Sequence, residues 1–207
     1  METIDVLVGC EFSQIVTKAF RKKGHKAFSC DILPTEGNPK WHIQDDVLNV
    51  IRLHPEIKMG IFFPPCTHLT SSGARWFEEK RKDGRQQQGI DFFMKLINAP
   101  IEKIAVENPI GIMSTIYRKP DQIIQPWMFG HNETKATCLW LKGLSILKPE
   151  NIVEPDYMRK ADGTYYKDKK GKRYSRIHFM SRNIKDRGKE RSRTFQGIGN
   201  AFANQWD

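Results

Sequence analysis

Apolar residues alternate along the chain between short continuous runs and sets at helical spacing. The run Ile4–Val8 ends at Gly9, and Phe12, Ile15, Val16, Ala19 and Phe20 follow at helical spacing with Gly24 as a stop, which predicts strand, turn and helix. A second strand over Ala27–Cys30 ends on Asp31, before a loop marked by Pro34, Gly37 and Pro39. Asp45-Asp46 opens a helix through Val47, Val50 and Ile51, and Met59–Phe63 is a buried strand stopped by Pro64-Pro65. After the polar stretch Gly73–Gly84, an amphipathic helix around Ile90–Ile97 leads into a strand over Ile101–Val106 that ends on Glu107-Asn108-Pro109. Such alternation predicts an α/β fold with a mainly parallel, doubly wound sheet.

Beyond Pro109 the pattern loosens. Gln125–Gly130 is aromatic and turn-rich, Thr137–Leu141 reads as a strand, and Pro149–Pro155 reads as a linker. Asp162-Gly163 and Lys170-Gly171 are turn signals, which suit a hairpin between Thr164–Lys167 and Tyr174–Phe179 or an irregular loop. The segment Arg191–Trp206 regains small and apolar residues and is expected to return to the core as a helix. Three parts follow: a catalytic domain over 1–150, a basic insertion over 151–190 and a returning segment over 191–207.

The chain of 207 residues suits one buried core with a modest appendage, and no window is apolar enough for a membrane span. With no secretion-type start, a cytoplasmic protein is expected. Charge changes the picture more. Residues 157–193 hold 14 Lys and Arg against 4 Asp and Glu, a surplus equal to the formal net charge of +10 of the whole chain. A local basic stretch interleaved with Tyr165, Tyr166, Tyr174 and Phe179 suits a polyanion whose bases stack on rings, or else a solvated loop with the rings packed beneath it. Cys10, Cys30, Cys66 and Cys138 are scattered without a CxxC pair, so reduced thiols and no metal are expected.

In an open α/β sheet, ligands gather at the carboxyl ends of the strands. The motifs that stand out in this chain all fall there. Gly9 in the first turn, Asp31 after the second strand and Asp45-Asp46 suit an adenosine-type cofactor, with carboxylates for ribose hydroxyls and an amino group. The same acids also suit helix caps. The first turn lacks GxGxxG, so a cofactor without phosphate fits better. Cys66, fixed behind Pro64-Pro65 and followed by Thr67, His68, Thr70, Ser71 and Ser72, is a positioned thiol suited to attack carbon-6 of a cytosine ring. Glu107 on the next strand would hold the proton at ring nitrogen-3 that activates the base.

The ordered set Val8-Gly9-Cys10-Glu11-Phe12-Ser13, Cys30-Asp31, Gln44-Asp45-Asp46, Phe62-Phe63-Pro64-Pro65-Cys66 and Val106-Glu107-Asn108-Pro109 resembles the catalytic half of the DNA cytosine-5 methyltransferase family. The resemblance touches most of residues 4–140 and 191–206, where Gly199-Asn200 is similar to a closing motif that returns to the cofactor pocket. It implies a Rossmann-like methyltransferase fold using S-adenosylmethionine (SAM), with Cys66 as nucleophile and Glu107 as the contact to the cytosine ring. It further implies Gly9, Phe12, Asp31, Asp46, Pro64 and Asn200 as cofactor contacts. Lys135 stands in for the family's Gln-x-Arg-x-Arg motif, and with Lys169, Lys170, Lys172, Arg173 and Arg176 it would contact nucleic acid. The family's target-recognition domain is reduced here to the basic segment, as in compact phage-type members, so specificity would be slight or supplied by a partner protein. DNA is the expected substrate. Two alternatives remain: the same chemistry on RNA or a free cytosine nucleotide, and a nucleic-acid-binding module without turnover. The chain lacks the CxxxxxR loop of a phosphatase and an orienting partner for a Cys66–His68 protease pair.

Overall fold

The computed structural model describes residues 3–169, 171, 173–174 and 192–206. Seven strands make one sheet: β1 (Val6–Gly9), β2 (Ala27–Asp31), β3 (His42–Gln44), β4 (Met59–Phe62), β5 (Lys103–Pro109), β6 (Gln122–Ile124) and β7 (Thr137–Lys142). Their order is β3-β2-β1-β4-β5-β7-β6. The first five are parallel, whereas β7 runs antiparallel to both β5 and β6. Strand order reverses between β1 and β4, where a Rossmann-like sheet opens a crevice at its carboxyl edge.

Period-two alternation sends each strand's side chains to two separate cores. Leu7, Ile104, Val106, Cys138 and Trp140 face one layer, packed by Val47, Val50 and Ile51 of α2 (Val47–Leu53) and by Ile90, Phe93, Leu96 and Ile97. Val6, Val8, Met59, Ile61, Ala105 and Leu139 face the other, against Val16, Ala19 and Phe20 of α1 (Ile15–Lys22). Between α2 and the long helix lies α3 (Phe77–Lys82), so that the long helix is α4 (Arg85–Ile97) and the single turn after β5 is α5 (Met113–Ile116). The final helix, α6 (Gln196–Gln205), lays Ile198, Ala201, Phe202 and Ala203 beside α1, as the apolar spacing of the tail foretold. Gly199 permits that approach: a Cβ there would stand 3.2 Å from Ile15.

Two strands had no signal in the sequence. Both β3 and β6 are three-residue edge strands, too short for a period to register. The polar stretch after Cys66 is also more regular than its composition suggested, with a 3₁₀ turn over Ser71–Trp76 running into α3. The described residues between 157 and 174 form three short segments. Isolated bridges pair Arg159 with Tyr165 and Lys167 with Arg173. The first crosses the expected Asp162-Gly163 turn. The expected strand partner beyond Tyr174 lies outside the described residues, as do Lys170, Lys172, Arg176 and Arg191. Among the described residues, no helix is long and apolar enough to cross a membrane.

Candidate functional site

The loops after β1 and β4, on either side of the switch point, are joined by a hydrogen bond from Phe63 N to Gly9 O (3.0 Å). On the β4 side Pro64 is buried, Pro65 exposed and Cys66 half-buried. Register places Phe62 opposite Val106, so Glu107 and Asn108 emerge beside the Pro-Pro-Cys loop. Asn108, buried, donates from Nδ2 to Pro64 O (3.2 Å), and its Oδ1 is buried without a hydrogen-bond partner among the described residues.

The backbone carbonyls of the Cys66 loop are engaged one after another. Cys66 O accepts from Leu69 N and Thr70 N, each at 3.0 Å, and Leu69 O accepts from Ile112 N at 2.9 Å. Thr67 O accepts from Lys80 Nζ at 2.7 Å, and His68 O accepts from Gln86 Nε2 at 3.3 Å. Thr70 bridges Gly111, where a Cβ would stand 2.1 Å from Leu69 O. The thiol therefore rides on a turn braced by α3, α4 and the segment after β5. Lys80 and Gln86 had not been picked out from the sequence. Gln86 was open to detection, because it lies on the Ile90, Phe93 and Ile97 stripe of α4 and so puts a polar group on a buried face. Lys80 carries no such signal in a run of charges.

Glu107 lines a narrow cavity with Phe63, Lys135, Thr137, Thr194 and Phe195. Burial pushes its carboxyl above the ordinary glutamic acid range, against the pull of the Lys135 charge and a hydrogen bond with Thr137. Lys135 is itself held: its Nζ donates to Arg193 O (3.4 Å) and stands 5.9 Å from the Phe195 ring centroid. Arg193 then reaches across to pair with Glu36 and to lie over Phe12, 5.5 Å from its ring centroid. Residues 192–195 thus form a strap from the Glu107 cavity to the first turn.

At the other end of the crevice, the first turn is built around a carboxylate. Cys10 takes a left-handed φ of 60°, a conformation that favours glycine. Glu11, buried, accepts at Oε1 from Val16 N (2.7 Å) and at Oε2 from Thr17 N (3.2 Å) and Thr17 Oγ1 (2.7 Å). The amino end of α1 is therefore already occupied by an anion. Burial raises the Glu11 carboxyl, opposed by these same hydrogen bonds. Gly9 serves packing, since a Cβ on it would stand 2.6 Å from both Phe62 and Val47.

Asp31 and Asp46 converge near Cys10, whose thiol is pushed up by burial first and then by the charges of Asp31, Cys30 and Asp46. Asp31 Oδ1 accepts from Leu33 N (2.9 Å), and the next side chain, Ile32, is 74% exposed. Asp46 caps α2 by accepting from Leu48 N (2.8 Å), the alternative role weighed for it from sequence. Asn200 is not brought to this group. It is exposed, accepts from Gln196 Nε2 (2.9 Å), and lines a surface groove with Lys22 and Lys23. Lys169 and Arg173 lie in the three-segment unit, both exposed. Among the described residues no group of three or more His, Cys, Asp or Glu is arranged to hold a metal ion.

No family model and no curated protein matches the chain. A solved E. coli structure, of a protein assigned as a DNA modification methyltransferase encoded within a prophage, is similar with a TM-score of 0.48 and 14% identity, over 73% of this chain and 52% of that one. The chain spans about half the length of that protein. A likeness at that level says nothing about activity.

Proposed function

We propose that the chain is a SAM-dependent methyltransferase that methylates carbon-5 of cytosine in DNA through a covalent Cys66 adduct. The observation that carries this reading is the pairing of two loops on adjacent parallel strands. The half-buried Cys66 thiol and the Glu107 carboxyl leave the same sheet edge, and Asn108 ties one loop to the other through Pro64 O. A carboxyl raised by burial holds its proton above the ordinary glutamic acid range, which suits donation to ring nitrogen-3. The Cys66 thiolate adds to carbon-6, and the electron pair passes to carbon-5. Carbon-5 would take the methyl group as the methyl–sulfur bond of the donor breaks, with S-adenosylhomocysteine as the leaving group. The carbon-5 proton then leaves to solvent, the Cys66 sulfur departs with its bonding pair, and the nitrogen-3 proton returns to Glu107.

The residues at the β1–β3 end fit an adenosine-type sulfonium better than a nucleotide. Backbone N–H groups that would hold a phosphate already bind Glu11, and the surrounding charge is negative from Asp31, Asp45 and Asp46. Asp31 has one carboxylate oxygen left for a ribose hydroxyl, and exposed Ile32 offers an apolar face to a flat ring. Gly9, Phe12 and Pro64 would supply the remaining cofactor contacts, and Asp46 would add charge. When bound, the cofactor supplies an electrophilic methyl group. The carbon-6 of a stacked base is out of reach, so the target cytosine must leave its stack.

The test is mass spectrometry of nucleosides from DNA incubated with the protein and isotopically labelled SAM. Labelled 5-methylcytosine is expected from the wild type and none from Cys66→Ala. Label transferred at the wild-type rate by Cys66→Ala would remove the covalent mechanism, and label on adenine or on cytosine nitrogen-4 would remove carbon-5 as the target.

A further inference from the structure

We propose that residues 157–169 with 173–174 form a stacking platform for an unpaired nucleic-acid strand, presenting Tyr166 and Tyr174 to the bases. It deepens the methyl-transfer reading, on which it rests only for the link to the active site, by naming the form in which the substrate is held.

Three backbone hydrogen bonds close a ring in this unit. Met158 N donates to Tyr174 O (2.9 Å), Tyr174 N to Tyr166 O (3.1 Å), and Tyr166 N to Met158 O (3.0 Å). Each of the three segments thus bonds to both others, which gives a stretch without a core of its own a fixed shape. The four tyrosines divide between two roles. Tyr157 and Tyr165 meet edge to face at 6.1 Å, and Arg173 stacks over Tyr165 at 4.2 Å with Arg159 over the same ring at 4.3 Å. These two rings are half-buried and carry the arginines on one face of the unit.

Tyr166 and Tyr174 lie opposite each other next to the Lys167–Arg173 bridge, so their side chains leave the same face, and they are 39% and 36% exposed. On their own face Lys160 Nζ stands 6.0 Å from the Tyr166 ring centroid, while Arg159, Lys167 and Arg173 lie exposed on the opposite face with Tyr165. Asp162 and Asp168 are the acids within this stretch. Two neighbouring exposed rings, with Lys160 beside them and further cations on the back of the same small unit, match a chain of phosphates whose bases have free faces. In a duplex those faces are covered by neighbouring bases, and a reader of the major groove would need a helix or long ribbon, which this unit lacks. An unpaired strand also relieves the active site of the work of unstacking the target base.

The experiment is fluorescence anisotropy without cofactor, using labelled oligonucleotides of about 16 to 20 nucleotides, long enough to cover one aromatic-groove site. Single-stranded DNA, RNA of the same sequence and the DNA duplex are compared at matched salt. Both single strands are expected to bind, since every base has a stackable face, and to bind about tenfold or more tightly than the duplex. Tyr166→Ala with Tyr174→Ala should lose about tenfold or more on the single strands, while Tyr166→Phe with Tyr174→Phe keeps the affinity because the ring is retained. Duplex binding equal to single-strand binding overturns the proposal, and so does wild-type affinity in the alanine pair. An alanine pair with an unchanged melting curve excludes loss of fold as the cause. Strand binding that persists while labelled methyl transfer fails would remove the enzymatic reading and leave the platform standing.

Discussion

The two ends of the crevice are built in opposite ways. At the β4–β5 end, Pro64 and every residue from Cys66 to Leu69 give their carbonyls to a donor from another part of the loop or from another element. At the β1–β3 end, the carboxylates of Asp31, Asp45 and Asp46 spend their hydrogen bonds within two residues of themselves or on a neighbouring turn, and much of their surface stays in solvent. On the proposed function, the difference matches what each end would do. Bond formation at a sulfur requires geometry fixed to a fraction of an ångström, so its support is long-range and redundant. Holding a diffusible cofactor requires charge and open acceptors, for which local turns suffice.

The largest effect should come from the chemical end through Glu107→Gln, which keeps the shape of the side chain but cannot carry the proton. Methyl transfer should fall by about 10²–10⁴-fold, the range for a general acid or base. The stability change should run the other way. Because the folded carboxyl sits above its unfolded value, the native state binds the extra proton in the window between them, and wild-type stability falls as pH rises through it. Glu107→Gln removes that loss, so thermal melting at pH 8 should be higher in the variant, and the gain should vanish below the ordinary glutamic acid range. Equal melting of both proteins at every pH would mean that Glu107 is not held in its neutral form.

Next in size is Gly111→Ala. Its Cβ would stand 2.1 Å from the Leu69 carbonyl oxygen, a backbone atom, so the Cys66 turn or the segment after β5 must shift. A displacement of that kind should cost about 1–3 kcal/mol in urea unfolding and about 10²-fold in methyl transfer. SAM affinity by calorimetry should not change, because the carboxylate end shares none of these contacts. A parallel loss of cofactor binding would show that the two ends are mechanically one.

The sequence announced the two ends unequally. Strands β1, β2, β4, β5 and β7 and helices α1, α2, α4 and α6 were legible, because burial on both faces or on one stripe leaves a period in the side chains. The placement of Glu107 and Cys66 at the carboxyl ends of β5 and β4 was legible because Pro64-Pro65 and Pro109 mark where each strand must stop. The bracing of the Cys66 turn was not legible. It is made by main-chain carbonyls, which every residue carries, and by Lys80, whose burial depends on how α3 folds back. Glu11 is the clearest case of a residue whose role reversed the emphasis. In the sequence it is only one member of the first-turn motif, yet its carboxyl takes the backbone N–H groups at the start of α1. Asn200 shows the converse: a motif similar in order can leave its side chain on a surface groove when the helix turns it outward.

The smallest expected effect separates charge from capping at Asp46. One carboxylate oxygen accepts from Leu48 N, and an asparagine keeps an oxygen in the same place, so Asp46→Asn should leave α2 and the melting temperature unchanged. Asp46→Ala removes the cap and should cost about 1 kcal/mol. Both variants remove the negative charge near Cys10. An exposed charge is worth about 0.2–1 kcal/mol to an oppositely charged partner, and so SAM affinity should weaken by about 1.4- to fivefold in each variant alike. Equal weakening in the two would assign Asp46 a share in the cofactor site beyond its cap. Wild-type affinity in Asp46→Asn, with a loss only in Asp46→Ala, would assign it to the helix alone and leave Asp31 as the carboxylate that faces the cofactor.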